Sequence, residues 1–177
     1  MWDIRAERDG DQEGIEKLVD LGFGPGRFAK SAYRLREGVA PVSRLSFVAE
    51  NVETAALLGA VRFWRVIVGD RVALLLGPLA VEPRLRARGI GIALMQRGIQ
   101  EARALGYESV ILVGDESYYA KAGFAKLKPG QVRFPGPVDP DRVLGLALKD
   151  GALELLSGEA KRAGIDVPVS AQATKLG

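Results

Sequence analysis

The sequence predicts an α/β domain: a mixed, mostly antiparallel sheet flanked by helices, with its central strands splayed apart. Three observations predict it. Apolar runs of strand length follow one another with hairpin signals between them, as in residues 57–68, Gly69-Asp70 and 72–81. The last of these runs is broken by Gly77-Pro78, where a ladder donor is missing and the pairing has to loosen. A turn with three arginines and two glycines then opens the best amphipathic helix of the chain, over residues 90–105.

Residues 2–7 alternate and read as a first strand. Ile15, Leu18, Val19 and Leu21 have helical spacing over residues 11–21, and Gly22 is placed to stop that helix. Residues 23–26 (Phe-Gly-Pro-Gly) make a turn, and residues 27–37 a second helix with Phe28, Ala32 and Leu35 on its apolar side. Its Arg34 and Arg36 read as a solvated face rather than a substrate site. Residues 45–50 are a strand, separated from 57–68 by the polar turn at 51–54. Phe63 and Trp64 alternate, so one belongs to the core and the other can line a groove. Residues 72–76 are continuously apolar, as in a strand buried on both faces.

In the 90–105 helix, Ile90, Leu94, Ala102 and Leu105 form a buried stripe widened by Met95 and Ile99, with Gly106 at the C-terminal cap. Residues 109–113 are a short buried strand. Ser117 can cap a short helix over 118–122 that Gly123 ends. Residues 129–140 are a Pro- and Gly-rich loop, Arg142 a salt-bridge partner at a strand start, and 143–148 the final strand, where two subunits could meet. Residues 1–165 are expected to form the one domain and 166–177 a tail without periodicity.

Composition excludes much. The 177 residues include no cysteine and no histidine, which removes thiolate chemistry, disulfides, the serine–histidine triad and the commonest zinc ligand. No metal is expected. A net charge of +3, from 25 Lys and Arg against 22 Asp and Glu, lacks the basic excess of a nucleic-acid binder. No apolar run reaches the ~20 residues of a membrane span, and the N-terminus lacks the layout of a signal peptide, so a cytoplasmic protein is expected.

The turn carries the chemistry. Arg84, Arg86 and Arg88 surround the start of a helix whose first amides have no intrahelical partner and whose dipole favours an anion. Glycines at 89 and 91 let a phosphate approach closely. A dinucleotide fold fits worse, because Leu94 stands at the third glycine position and the preceding strands are hairpins. A Walker loop is excluded, since no Gly-Lys-Ser/Thr occurs.

The order of elements resembles the GCN5-related N-acetyltransferases. Arg86-x-x-Gly89-x-Gly91 matches that family's Arg/Gln-x-x-Gly-x-Gly/Ala turn, and Tyr119-Ala120-Lys121-Ala122-Gly123-Phe124 its later Tyr-x-x-x-Gly-Phe motif. Leu76 to Val81, Val113-Gly114-Asp115 with Tyr118-Tyr119, and Pro135 to Pro140 with Arg142 are similar to its bacterial YhbS-like branch. The match runs from about Phe47 to Leu148. The resemblance implies acetyl-CoA as co-substrate. It implies strand-end backbone at Leu79, Ala80 and Val81 for the pantetheine arm. The turn Arg86, Ala87, Arg88, Gly89, Ile90, Gly91 and Ile92 would take the pyrophosphate, and Arg84 or Arg86 an outer phosphate.

It further implies transfer of an acetyl group to a primary amine, with Tyr119 near the coenzyme sulfur as general acid on the leaving thiolate. Tyr118 is expected to pack. Glu50, Glu82, Asp115 and Glu116 are unranked candidates for a base, and catalysis by proximity needs none. The acceptor is a small-molecule or peptide amine, and the protein a monomer or homodimer. The rival reading is a non-catalytic acyl-CoA-binding or sensing module.

Overall fold

The computed structural model of the chain describes residues 1–23 and 31–163. The expected turn at 23–26, the first residues of the second helix and the tail from 166 lie mostly or wholly outside that range. The described strands are β1 (Trp2–Ala6), β2 (Phe47–Asn51), β3 (Leu57–Val68), β4 (Arg71–Val81), β5 (Ser109–Val113), β6 (Ala125–Lys126), β7 (Val132–Arg133), β8 (Val143–Ala147) and β9 (Gly158–Arg162). The helices are α1 (Gln12–Phe23), α2 (Ser31–Arg34), α3 (Ile90–Ala104) and α4 (Glu116–Tyr119). The sheet runs β1-β2-β3-β4-β5-β8-β6, antiparallel throughout except for the parallel pair β4–β5.

The two faces of the sheet are separated by simple alternation. Val61, Phe63, Leu74 and Leu76 point to the face covered by Ile90, Leu94, Met95 and Ile99 of α3. Trp64, Val66, Ala73 and Leu75 point to the other. On that second face α1 packs Ile15, Leu18 and Val19 against Val48, Ala60 and Ala80. Phe63 is fully buried and Trp64 nearly so, and it is Trp64 that reaches a cavity wall.

The splay lies where the Gly-Pro break predicts it. β4 pairs with β5 only at Leu74↔Val110 and Leu75↔Ile111. Beyond Gly77-Pro78 it stays on β3, with Leu79↔Val61 and Val81↔Gly59, after a bulge opposite Arg62. β5 meanwhile turns off at Gly114 into α4, so a wedge opens between the two strands. The Trp64 indole N–H donates to the Gly77 carbonyl at the apex, 2.5 Å away.

Several expectations are corrected. The helix expected to stop at Gly22 runs on to Phe23. Of the second helix, α2 is one turn, continued by turns to Gly38. Leu105 is only half-buried, as the helix closes one residue earlier. Ser117 does not cap α4: Asp115 is the N-cap residue, and its carbonyl accepts from the amides of Tyr118 and Tyr119. The strand expected to be last, β8, is followed by β9 and lies between β5 and β6, with β6 paired to it at Leu144 and Gly145. β7 forms inside the predicted loop, parallel to β9. β9 pairs with Val66–Val68 of β3, on the edge that β2 leaves uncovered. Its sequence, Gly-Glu-Ala-Lys-Arg, has a single buried apolar residue, Ala160, and so no strand pattern to read.

Candidate active site

Two cavities meet in the wedge. One, of about 600 Å3, lies between the end of β4, the arginine turn, the first turn of α3 and α4. Its first wall is backbone. Glu82 N–H donates to the Leu58 carbonyl at 2.8 Å, so β4 backbone groups alternate from there. Those of Ala80 face β3, whereas those of Leu79 and Val81 face the wedge. Ala80 lines the cavity but its backbone is committed to the sheet.

The second wall is the turn. Ala87 and Gly89 both adopt positive φ, 65° and 86°. Ala87 carries a cost of ~1 kcal/mol for this, the kind of strain that persists where a site requires it. The first intrahelical bond of α3 runs from Ala93 N–H to the Gly89 carbonyl at 3.0 Å. The amides of residues 87–92 have no hydrogen-bond acceptor among the described residues. Residues 87 and 89–92 of this stretch line the cavity, at the positive end of a 15-residue helix. The two glycines serve different ends. A Cβ at Gly89 meets nothing within 4 Å, so its role is the backbone angle. A Cβ at Gly91 collides with the Tyr118 hydroxyl.

The structure brings Leu79, Ala80, Val81, Arg86, Ala87, Gly89, Ile90, Gly91, Ile92 and Tyr119 to the wall of this cavity. It does not bring Arg84 or Arg88 to its wall. Arg84 is exposed and pairs with Glu82 at 3.4 Å. Lys121, quoted only as an inner residue of the Tyr-x-x-x-Gly-Phe motif, lines the cavity and adds a cation there.

Leu79, Tyr118 and Tyr119 also line the second cavity, of about 730 Å3. The two rings meet edge to face at 5.1 Å. Tyr119 is held by Phe124 at 6.1 Å and by Gly114, where a Cβ would run into its ring. Burial, then the neighbouring Tyr118, push the Tyr119 hydroxyl up to about 12. Tyr118 is also raised by burial. The expectation that Tyr118 only packs is corrected: it lines both cavities, its hydroxyl on the first turn of α3.

The larger cavity has an apolar belt that includes Val19, Tyr33, Trp64, Leu75, Pro78 and Val113. Charged groups interrupt it. Arg62, opposite the β4 bulge, binds Glu7 through two contacts of 3.1 and 2.7 Å and Gln12 at 2.9 Å. Arg142 pairs with Asp115 at 2.8 Å, the strand-start ion pair anticipated for it. Arg36 lies over Tyr33 and Trp64, 5.3 and 5.9 Å from the ring centres, so it belongs to the cleft and not to a solvated helix face. Arg34 donates to the Pro135 carbonyl at 2.9 Å, tying α2 to the proline-rich loop.

Of the four candidate bases only Asp115 lines this cavity. Glu50 is bound by Arg5 at 2.7 Å, Glu82 faces Arg84, and Glu116 lies 3.9 Å from Lys126. Glu7, Glu16 and Glu37 do line it and had no motif to announce them. Among the described residues no group of three carboxylates is placed to hold a metal ion, and no helix is long and apolar enough to cross a membrane.

Comparison with known proteins agrees with this architecture. A family model described as an acetyltransferase (GNAT) domain matches residues 43–126. The uncharacterized N-acetyltransferase YhbS of Escherichia coli K12 is 31% identical over 159 residues, covering 88% of this chain and 92% of the relative. YjhQ of the same strain, also described as an uncharacterized N-acetyltransferase, is 35% identical over 131 residues, covering 72% and 71%. The crystal structure of Escherichia coli YhbS in complex with CoA superposes with a TM-score of 0.75 at 27% identity, over 92% of this chain and 89% of that one. A GNAT family acetyltransferase from Brucella melitensis in complex with acetyl-CoA gives 0.60 at 28% identity, over 86% and 97%. The splayed strands, the open amides at the helix start and these relatives lead to one assignment: the chain belongs to the GCN5-related N-acetyltransferases.

Proposed function

We propose that this N-acetyltransferase takes acetyl-CoA into the 600 Å3 cavity and passes its acetyl group to a primary amine held in the 730 Å3 cavity. The observation that carries the reading is the set of open amides at residues 87 and 89–92, on the wall of one cavity that shares Leu79, Tyr118 and Tyr119 with a second. The residues suit such a coenzyme. Five amides on the cavity wall without an acceptor among the described residues, with Arg86 and Lys121, match a diphosphate, and the outward backbone of Leu79 and Val81 matches the amides of a pantetheine arm laid along β4 as a substitute strand.

Acetyl-CoA supplies a thioester whose carbon accepts the amine lone pair; the C–N bond forms, the C–S bond breaks, nitrogen loses a proton and sulfur gains one. Outward amides of Leu79 or Val81 polarise the carbonyl. Tyr119, at the junction of the cavities, donates its hydroxyl hydrogen to the leaving sulfur. With its pKa near 12 against ~8.5 for a thiol, complete transfer from Tyr119 alone is uphill by roughly 5 kcal/mol. The hydroxyl therefore works as a relay: it gives its proton as the C–S bond breaks and recovers one from the nitrogen, which turns strongly acidic once acylated. Asp115, the one expected base on the cavity wall, is a carboxylate route for that proton to leave.

Calorimetric titration with acetyl-CoA tests the donor site, and Tyr119→Phe tests the relay. Saturable one-to-one binding is expected, weaker for dephospho-CoA if Arg86 meets the outer phosphate. Tyr119→Phe, assayed for thiol release on a panel of primary amines, is expected to lower kcat by about 100-fold with coenzyme affinity unchanged. Normal turnover removes Tyr119 from the reaction. Binding without turnover on any amine favours the acyl-CoA-sensing reading.

A further inference from the structure

The Tyr118 hydroxyl occupies the place that a side chain at residue 91 would take. An alanine Cβ there would overlap it, and would stand 3.5 Å from the ring carbon that bears it. The hydroxyl is thus seated on the first turn of α3, inside the cavity lined by Gly89, Ile90, Gly91 and Ile92. Those residues carry the open amides. The hydroxyl itself has no hydrogen-bond partner among the described residues. One helical turn on, the Lys121 ammonium lies 5.7 Å from the centre of the same ring and lines the same cavity.

We propose that Tyr118 is a coenzyme-binding residue whose hydroxyl donates a hydrogen bond to the diphosphate of the acyl donor at the first turn of α3. The proposal rests on the assignment of that cavity to acetyl-CoA. A donor with no protein partner beside unpartnered amides adds one more positive hydrogen end to an anion site. Burial favours the protonated form of this phenol, so the hydrogen is present at neutral pH. The ring brings the cation of Lys121 to the same place. The two adjacent tyrosines then divide the work. Tyr118 holds the phosphates on the helix side, and Tyr119, supported by Gly114 and Phe124, stands at the thioester end.

The test is Tyr118→Phe, which keeps the ring and its contacts with Tyr119 and Lys121. Wild type and variant are titrated with CoA by calorimetry, and with pantetheine, which has no phosphate, by ligand-detected NMR at millimolar concentration. One lost hydrogen bond to a charged oxygen predicts CoA binding weaker by roughly 10- to 100-fold. Pantetheine binding is expected to be equal in the two proteins. Equal CoA affinity in both overturns the proposal. So does a matching loss for pantetheine, which would make Tyr118 a packing residue of the thioester end. If wild type does not bind CoA, the assignment of the cavity itself fails.

Discussion

Gly91→Ala tests the contact that places the Tyr118 hydroxyl. The family turn that this chain resembles admits glycine or alanine there, yet this fold refuses the second. The Cβ would overlap the Tyr118 hydroxyl while lying 3.5 Å from its ring carbon and 3.5 Å from a methyl of Val81, so one oxygen makes the whole conflict. Alanine is favoured over glycine by up to ~1 kcal/mol in a helix. Forcing an atom into occupied space costs ~1–3 kcal/mol. The ring has little freedom to retreat, with Tyr119 edge-on at 5.1 Å and Lys121 over its face. Gly91→Ala is therefore expected to lower stability by up to ~2 kcal/mol, which for a domain of this size lowers Tm by up to about 8 °C.

In a Tyr118→Phe background the oxygen is gone and both remaining contacts are of ordinary length. The same substitution should there be neutral or stabilising by up to ~1 kcal/mol. Urea unfolding of the four proteins reads a coupling of ~1–3 kcal/mol between the two positions. Equal costs of Gly91→Ala in both backgrounds would refute the placement of the hydroxyl on α3.

The pH profile follows from Tyr119. Its folded pKa is raised from 10 to about 12, so the hydroxyl keeps its proton through the neutral range. The rate should climb as the amine deprotonates and should not fall through ionisation of this group before about pH 11; an alkaline midpoint near 10 that Tyr119→Phe abolishes contradicts its burial. The same raised pKa contributes stability that is present below pH 10 and lost as pH rises through 12. Arg62→Ala leaves Glu7 without its cation at the edge of the 730 Å3 cavity, both side chains being largely buried. Breaking such a pair costs ~3–5 kcal/mol, measured as a drop in the urea midpoint at unchanged slope. A change within 0.5 kcal/mol would mean the pair is solvated.

Local chemistry was legible in the sequence. β3 and β5 begin and end where alternation and turn residues place them, because pleat and hairpin geometry involve only near neighbours. The break at Gly77-Pro78 and the long apolar stripe of α3 are likewise written in single residues. From these the wedge and the arginine-glycine turn could be anticipated, and with them the family.

What converges from distant segments was not. Glu7, Glu16 and Glu37 carry no mark in the sequence of sharing one wall, since the sheet and two helices have to assemble before they meet. Glu50 and Glu82, equally acidic and equally at strand ends, are drawn away by Arg5 and Arg84. β7 and β9 pair through backbone groups with almost no apolar pattern, so only the uncovered edge of β3 explains them. The division between Tyr118 and Tyr119 is likewise tertiary. Adjacent in sequence, they differ because the α4 turn sends one hydroxyl to Gly91 and seats the other ring on Gly114. Periodicity settled which segments fold into strands and helices. Which side chains face one another across the cleft was settled by packing, whose partners lie tens of residues apart.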